Sequence, residues 1–425
     1  MKHIVILGAG FGGLKVAREL SKKLTRANLL DRYSIILVDQ NDHHTYTPLL
    51  YEVATTSKET ADIHSLHEIA AYPLRSILDG WPITFYQNKV TKIDPLRAEI
   101  TLGANEKINY DYLVLTLGSE TNYFDIPGLA KYGLPLKTFA DAIRIRDTIW
   151  NLALNQVQDI RISVGGAGPT GVELAGELKV WCGQLEQQFG KCRLNVTLIQ
   201  GKPTILYGFH PKVIRRTENR LKSLGVQIIP NARVTKVLPK ETTLADGKKI
   251  PHDIFAWTGG THAPELVSGL PFKLEPQGLI QVLGQMECIP TNPNLTIRKK
   301  VYALGDTTCF HNPKTNAPVP GVARAALSQA TVAAHNILED IQVEEQKNTS
   351  PHYKEYHPIE YPYIVPAGGK FAVAKVGPLI VGGLMGWLFK GIVELNYILS
   401  IMSPRHALRI WLKGLKVFIQ NDRLG

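Results

Sequence analysis

An α/β fold of two similar halves followed by a helical tail is what this sequence predicts, on three observations. The stretch "IVILGAGFGG" sets Gly8, Gly10, Gly12 and Gly13 between a short apolar run and the helical pattern "LKVARELSKKL". Further on, "IRISVGGAGPTGVELAGEL" repeats the arrangement with Gly166, Gly168 and Gly171. The closing stretch "SPRHALRIWLKGLKVFIQ" carries basic and apolar residues in separate sectors of a helical wheel.

Strand, glycine turn and helix, in that order, are what a Rossmann-like dinucleotide-binding domain requires. Gly8 permits the tight turn, Gly10 lets the backbone approach a pyrophosphate, and Gly13 lets the helix pack close to the strand. The next strand, "YSIILVDQ", ends in Asp39, a suitable acceptor for ribose hydroxyls. A lone glycine triplet also serves plain packing, but the strand before it and the acid after it favour a cofactor. In the second unit Thr170 accompanies Gly166, Gly168 and Gly171, and the following strand, "NVTLIQ", ends in Gln200. Two such units indicate two dinucleotides in one chain, most simply a flavin and a nicotinamide. "EKINYDYLVLTLGSET" and "IRKKVYALGDTT" are strands that run into turns at Gly118 and Gly305. Asp306 is placed to reach a ribityl hydroxyl; a turn aspartate making a local hydrogen bond is the plainer reading. "HDIFAWTGGTHAPEL" adds a turn at Gly259 and Gly260. The expected division is 1–155 and 263–340 for two parts of a flavin-binding domain, 156–262 for a nicotinamide-nucleotide-binding domain, and 341–425 for a linker and C-terminal segment.

The 425 residues have room for two or three domains with buried cores. The formal charge of +11 is uneven: from Lys370 onward eight basic residues stand against Glu394 and Asp422, which places +6 in the tail. A basic tail points to an anionic surface, nucleic acid or lipid. Over 403–420, Ser403 is a good N-cap and Pro404 a good first helical residue. Leu408, Trp411, Leu412, Leu415, Phe418 and Ile419 share one sector, with Ile410 and Val417 as apolar exceptions outside it. Arg405, Arg409, Lys413, Lys416 and Gln420 share another. This pattern predicts an in-plane membrane anchor. A helix docked on the protein's own core or across a dimer interface is the plain alternative, and both can hold. DNA binding would leave the apolar face without a purpose.

The stretch "VGPLIVGGLMGWLF" (376–389) is interrupted by Pro378 and several glycines, then by Lys390 and Glu394, one helical turn apart and able to pair. It predicts an interfacial or core helix rather than a span. The polar residues 342–362 are expected to connect body and anchor. Cys182, Cys192, Cys288 and Cys309 lack metal-type spacing and predict reduced thiols in a cytosolic compartment. His64 and His67 have helical spacing but no third ligand, so no metal site is expected. Adjacent His43 and His44 read as hydrogen-bonded loop residues. "MKHIVILGAG" enters a strand at once, so no signal peptide is expected ahead of the fold.

In this order, "ILGAGFGG", "GAGPTGVELAGEL", "WTGG" and "YALGDTT" resemble the two-dinucleotide flavoprotein superfamily that includes glutathione reductase. "YTPLLYEVATT" (46–56), "DAIRIRDTI" (141–149) and the tail narrow the resemblance to type II NADH dehydrogenases, the single-chain NADH:quinone oxidoreductases. The resemblance implies bound FAD, with Thr47, Pro48 and Leu49 among its contacts, and Glu173 orienting the nicotinamide. A carboxylate in the first helical turn is also favoured by the helix dipole alone, and Glu177, one turn on, is the weaker candidate. Disulfide reductases and sulfide:quinone reductases of this fold need cysteines near the flavin. None precedes Cys182, and Cys309 has no evident partner, so electrons must leave the flavin directly. One departure stands out. Where the family's helix after the final flavin strand carries an Ala-Gln pair and a second Gln four residues on, this chain has Arg324 and Ser328, with Gln329 alongside. These three are the expected quinone contacts, Arg324 as a donor to a quinone oxygen or to the flavin.

The expected function is a peripheral, monotopic membrane flavoenzyme on the cytoplasmic face, moving a hydride from NADH or NADPH to FAD and two electrons to a quinone without pumping protons. No nucleic-acid partner is expected, and a homodimer is a further use of the tail. Gln200 lacks the charge with which a Glu would repel a 2′-phosphate, and Lys202 attracts one, so NADPH is expected to be accepted. A neutral hydrogen-bonded hold on NADH is the alternative. A soluble reductase of a one-electron carrier protein and an NAD(P)H-sensing flavoprotein are the rival functions.

Overall fold

The structure, a computed structural model, describes residues 1–190, 192–294, 297, 299–347 and 349–421. Asp422 and Arg423 of the basic tail lie outside the described residues. The chain forms two compact units. The first comprises Met1–His44, Pro73–Glu120 and Thr261–Tyr361; the second comprises Thr45–Tyr72, Thr121–Gly260 and Pro362–Gly425.

Each unit is built on a five-stranded parallel sheet. In the first the spatial order is Lys300–Ala303, Tyr112–Leu115, Lys2–Leu7, Tyr33–Asp39 and Ile83–Gln87. Its central strand is apolar on both faces, with Ile4, Val5, Ile6 and Leu7 fully buried, as a parallel strand covered on both sides must be. The second unit repeats the order with Gly133–Pro135, Ile254–Trp257, Asp159–Gly165, Arg193–Ile199 and Gln227–Ile229. Registers run from Lys2↔Tyr33 to Leu7↔Val38 in one sheet and from Asp159↔Arg193 to Gly165↔Ile199 in the other. Each unit also carries a three-stranded antiparallel sheet, 90–109 in the first and 234–251 in the second. In both parallel sheets the central strand is the one that ends in the glycine turn. Strand order reverses there, which is where such sheets receive ligands.

Three expectations are corrected. Residues 45–72 and 121–155 join the second unit rather than the first, and so does the tail from Pro362. An aromatic stack explains part of this: the Tyr46 ring lies 5.2 Å from that of Tyr397 in the tail and 6.2 Å from that of Tyr72. Residues 342–362 are not a free connector. The helix Ala323–Glu344 covers their start, Lys354 N donates to Asn336 Oδ1 at 2.8 Å, and Tyr356 is buried. Residues 376–389 are not one helix. Ala372–Val376 and Leu379–Gly383 pair as a hairpin, with Gly377 at φ +54° and Pro378 in the turn. The helix begins only at Leu384 and continues to Ile401. Its Gly386 is an approach point, since a Cβ there would stand 2.2 Å from the Ala372 carbonyl oxygen.

The final helix, Pro404–Asn421, starts where the sequence places it. Its inward face is Ala407, Ile410, Gly414, Val417 and Phe418, so the two apolar exceptions are core residues. Leu408, Leu412 and Ile419 are exposed. Docking and an open apolar stripe therefore coexist on one helix. Asn421 fastens its end: Oδ1 accepts from Ser57 N at 2.9 Å and Nδ2 donates to Thr55 O at 3.1 Å, all buried. Asn421→Ala is expected to strand both backbone groups and cost about 1–3 kcal/mol, read as a lower denaturant midpoint at unchanged slope.

Candidate active site

The two glycine turns have the same geometry. Gly8 and Gly166 adopt φ +102° and +97°, left-handed backbone that disfavours any side chain. A Cβ on Gly13 would stand 1.8 Å from the Gly8 carbonyl oxygen, and one on Gly171 would stand 1.9 Å from that of Gly166. Each helix N-terminus thus rests on its own strand end. Around Gly10 and Gly168, by contrast, a Cβ would meet nothing within 4 Å. These two positions begin the helices Phe11–Arg26 and Pro169–Phe189 as N-caps without a side-chain hydrogen bond. The turns leave bare backbone amides and a positive helix end open to an anionic group, which fits a pyrophosphate. Gly12 serves packing instead, against Leu304.

Asp39 and Gln200 occupy equivalent strand ends. Asp39 accepts from Ala9 N at 2.7 Å through Oδ2 and from Asn41 N at 2.8 Å through Oδ1, which ties the strand end to the glycine turn. Its carboxylate retains acceptor capacity for ribose hydroxyls. Gln200 donates Nε2 to Thr204 O at 3.2 Å, leaving its carbonyl oxygen as the group offered to a ribose. Lys202 Nζ lies 5.5 Å from the centre of the Tyr207 ring. Thr170 is half-buried beside Gly171, while Gly259 is closed by the Trp257 ring and Gly260 by Phe124.

The first unit gathers a second group at the end of its sheet. Ser119 Oγ donates to Asp306 Oδ2 at 3.3 Å, and Thr307 Oγ1 donates to Gly118 O at 3.0 Å, so the Gly118 and Gly305 turns are joined. Gln329, an expected quinone contact, is buried, and its Oε1 accepts from Gly305 N at 2.8 Å. Ser328 is exposed but donates to Arg324 O at 3.1 Å within its own helix. Arg324 is exposed in the first turn of Ala323–Glu344, where the dipole disfavours a cation. An anionic partner at that spot would offset the penalty. His44 is a structural residue; its Nδ1 bonds Ala9 O at 3.0 Å and burial lowers its pKa to about 4. Thr47–Leu49 form a short 3-10 helix in the second unit, with Thr47 and Pro48 exposed and Leu49 wholly buried in the core.

The second unit contains a cluster that sequence reading missed. Lys390 Nζ bonds Glu52 Oε1 at 2.6 Å, so its partner is Glu52 and not the expected Glu394. Glu52 Oε2 is buried without a hydrogen-bond partner among the described residues. Glu173 and Glu394 share this surrounding. Burial pushes the Glu173 carboxyl up to about 8 and the Glu394 carboxyl to about 7; Lys390 opposes the rise in both, and Glu52 adds to it. Glu177, the weaker candidate, accepts from Gly369 N at 3.1 Å and is buried. Glu173 keeps part of its surface accessible. The available signal was each charge's isolation in an apolar run, "PLLYEVA" and "WLFKGIVELNY".

The profile of the pyridine nucleotide-disulphide oxidoreductase family matches residues 2–333. The chain belongs to that family. It is similar to the type II NADH:quinone oxidoreductase Ndh of Mycobacterium tuberculosis, 29% identical over 438 residues that span 96% of this chain and 87% of that protein. It is also similar to the demethylphylloquinone reductase NdbB of Synechocystis, 29% identical over 80% of each chain. The NDH2 of Plasmodium falciparum, solved in complex with NADH, matches in fold with a TM-score of 0.82 over 99% of both chains, at 17% identity. The resemblance to type II NADH dehydrogenases is borne out, and the chain is an oxidoreductase. Despite the family's name, its four cysteines are free thiols.

Two outcomes follow from this geometry. Gly171→Ala is expected to lower the thermal midpoint through its backbone clash, whereas Gly168→Ala leaves the midpoint unchanged and weakens nucleotide binding, measured by titration calorimetry. Glu173 is raised from the ordinary 4.5 to about 8, so the stability its protonated form contributes is complete below pH 4.5 and lost as pH rises through 8. Glu173→Gln should match the parent at pH 4.5 and become progressively more stable than it toward pH 9, in urea titrations.

Proposed function

We propose that this chain is a type II NAD(P)H:quinone oxidoreductase that holds FAD in its first unit and NADH or NADPH in its second, and that lies in the plane of a membrane. The observation that carries the reading is the pair of open glycine positions, Gly10 and Gly168, one in each unit. The chemistry that FAD supplies in such a site is acceptance of a hydride from reduced nicotinamide and delivery of two electrons to a quinone. Gly8 to Gly13 bind its pyrophosphate, Asp39 its ribose hydroxyls and Asp306 a ribityl hydroxyl. Arg324, at the positive end of its helix, stabilises negative charge developing on the acceptor. Glu173 orients the nicotinamide. Reducing a quinone with reduced nicotinamide takes up one proton beyond the hydride. Glu52, Glu173 and Glu394 outnumber Lys390, so the cluster retains an exchangeable proton near neutral pH and supplies it.

The tail supports a lipid-soluble acceptor. Leu408, Leu412 and Ile419 are exposed on the last helix beside exposed Arg405, Arg409 and Lys416. Leu384, Met385, Leu388, Ile392 and Leu399 are exposed on the helix before it. Among the described residues, Leu384–Ile401 is the one helix long and apolar enough to cross a membrane. Its opposite side, with Glu394, Tyr397 and Ile398, is packed in the second unit, which favours an in-plane position over a span. Free thiols suit the reducing, cytoplasmic side.

The deciding experiment is anaerobic stopped flow: flavin-loaded protein mixed separately with NADH and NADPH, then with a short-chain quinone. Flavin bleaching by both donors and reoxidation by quinone are expected; no bleaching by either sinks the reading. Gln200→Glu should lower the NADPH-to-NADH preference about tenfold, equivalent to about 1.4 kcal/mol. The quinone-dependent rate should fall as pH rises from 7 past 8, and a rate flat to pH 9 removes the proton-supplying role of the cluster.

A further inference from the structure

Read along the chain, Cys309 and His311 have no ligand partner at metal-type spacing. The fold supplies one. Thr308–Cys309 is a strand paired in parallel with Ile280–Gln281, with Gln281 opposite Cys309, and His311 continues the extended course as a bridge to Pro318. Residues two apart on extended chain project to the same side. Cys309 Sγ and His311 Nδ1 are accordingly 3.9 Å apart. Glu275 comes from the turn before the neighbouring strand, where Gly278 N donates to Glu275 O at 2.8 Å. Its Oε1 stands 3.9 Å from His311 Nδ1. The three donor atoms all lie within 4.8 Å of one another.

We propose that Glu275, Cys309 and His311 form a site for a borderline-soft divalent transition ion of the zinc type. Thiolate, imidazole and carboxylate are zinc's ordinary protein ligands, and donors on a tetrahedral zinc stand about 3.3–3.6 Å apart. The two separations to His311 Nδ1, 3.9 Å each, need to close by a few tenths of an ångström, and the thiol and carboxylate, within 4.8 Å, are brought together by side-chain rotation. Hard cations are disfavoured, because calcium and magnesium take oxygen donors and a thiolate is soft. Gln281 Nε2 donates to Glu275 Oε1 at 2.7 Å and orients the carboxylate, as outer-shell partners of metal ligands do. Cys309 is buried, while Glu275 and His311 are partly exposed, so three protein ligands close one side and leave the fourth position to water. Binding releases the Cys309 thiol proton to solvent and changes no other bond or oxidation state. Cys309 also ends the strand that leaves the Gly305–Thr307 turn. An ion here would tie that turn to the loop carrying Glu275, all within the first unit.

The test uses the full-length, flavin-loaded protein, first dialysed against a chelator. Zinc is titrated by calorimetry, and cobalt(II) is added separately as a spectroscopic probe. One ion per chain is expected, with a thiolate-to-cobalt charge-transfer band and a raised thermal midpoint. Cys309→Ser should abolish the band, His311→Ala should abolish zinc binding, and Gln281→Leu should weaken it about tenfold. The metal-free variants are checked for parental thermal midpoint and flavin spectrum, which separates lost binding from lost folding. Zinc binding undiminished in both Cys309→Ser and His311→Ala, or cobalt binding without the charge-transfer band, overturns the proposal. The outcome is independent of whether the protein reduces quinones.

Discussion

The contact on which the rest depends is the approach of a helix to the end of its own strand, made once in each unit. With Gly13 closed against the Gly8 carbonyl and Gly171 against that of Gly166, neither helix has room for a methyl group at its foot. That closeness points the first backbone amides of the helix at one spot beyond the sheet. Asp39 then fixes the spot from the other side by accepting the Ala9 amide, so the acid both builds the turn and faces the ligand it would bind. In the second unit Gln200 holds Thr204 instead, and the equivalent corner carries no negative charge. The two repeats differ at that corner, while the backbone constraint is common to both.

A largely buried group of three carboxylates and one ammonium is costly, and single removals from such a group are costly too. Here the cost is lowered by leaving carboxyls protonated: Glu173 and Glu394 titrate near neutrality rather than in the usual carboxylate range. The same group is structural. Lys390 lies on the helix Leu384–Ile401, and its bond to Glu52 fastens the tail to residues 45–72. The tail is therefore packed into the second unit and is not a detachable segment. A chain cut before Val376 would lose Lys390 and Glu394 together with the hairpin and both helices. This argues against a soluble carrier reductase that merely acquired a membrane hook.

Most of the frame was legible because local signals and tertiary packing agree in it. Apolar runs ending in glycine turns became the central strands, and Pro404 began the last helix. What escaped was non-local. Residues 376–389 are as apolar as a helix, but Gly377 and Pro378 turn them into a hairpin, and only pairing with Ala372–Val376 reveals this. Gln329 was expected as a quinone contact because it stands beside the position of the family's second Gln, yet its Oε1 is taken by Gly305 N, remote in sequence. Glu52 and Lys390 were visible as isolated charges, but their pairing spans most of the chain. The proximity of Cys309 and His311 to Glu275 is likewise non-local, since Glu275 lies more than thirty residues earlier in the chain.

The last helix shows why pattern alone could not decide between anchor and core. Its apolar residues exceed what one face can hold. The wheel treats Ile410 and Val417 as exceptions to the broad sector, whereas packing buries those two with Ala407 and Gly414 and takes only Phe418 from the sector into the core. Small residues at 407 and 414 let the helix lie close to the core, and Asn421 locks its end at Thr55 and Ser57. With the inner face satisfied, Leu408, Leu412 and Ile419 form a stripe that no fold requirement explains, and the adjoining Arg405, Arg409 and Lys416 have the charge that an anionic surface attracts. A helix needed only for stability would carry polar residues on that stripe. The docked face holds the helix on the second unit, and the bare face leaves it an exposed apolar surface, the feature on which the proposed membrane position rests.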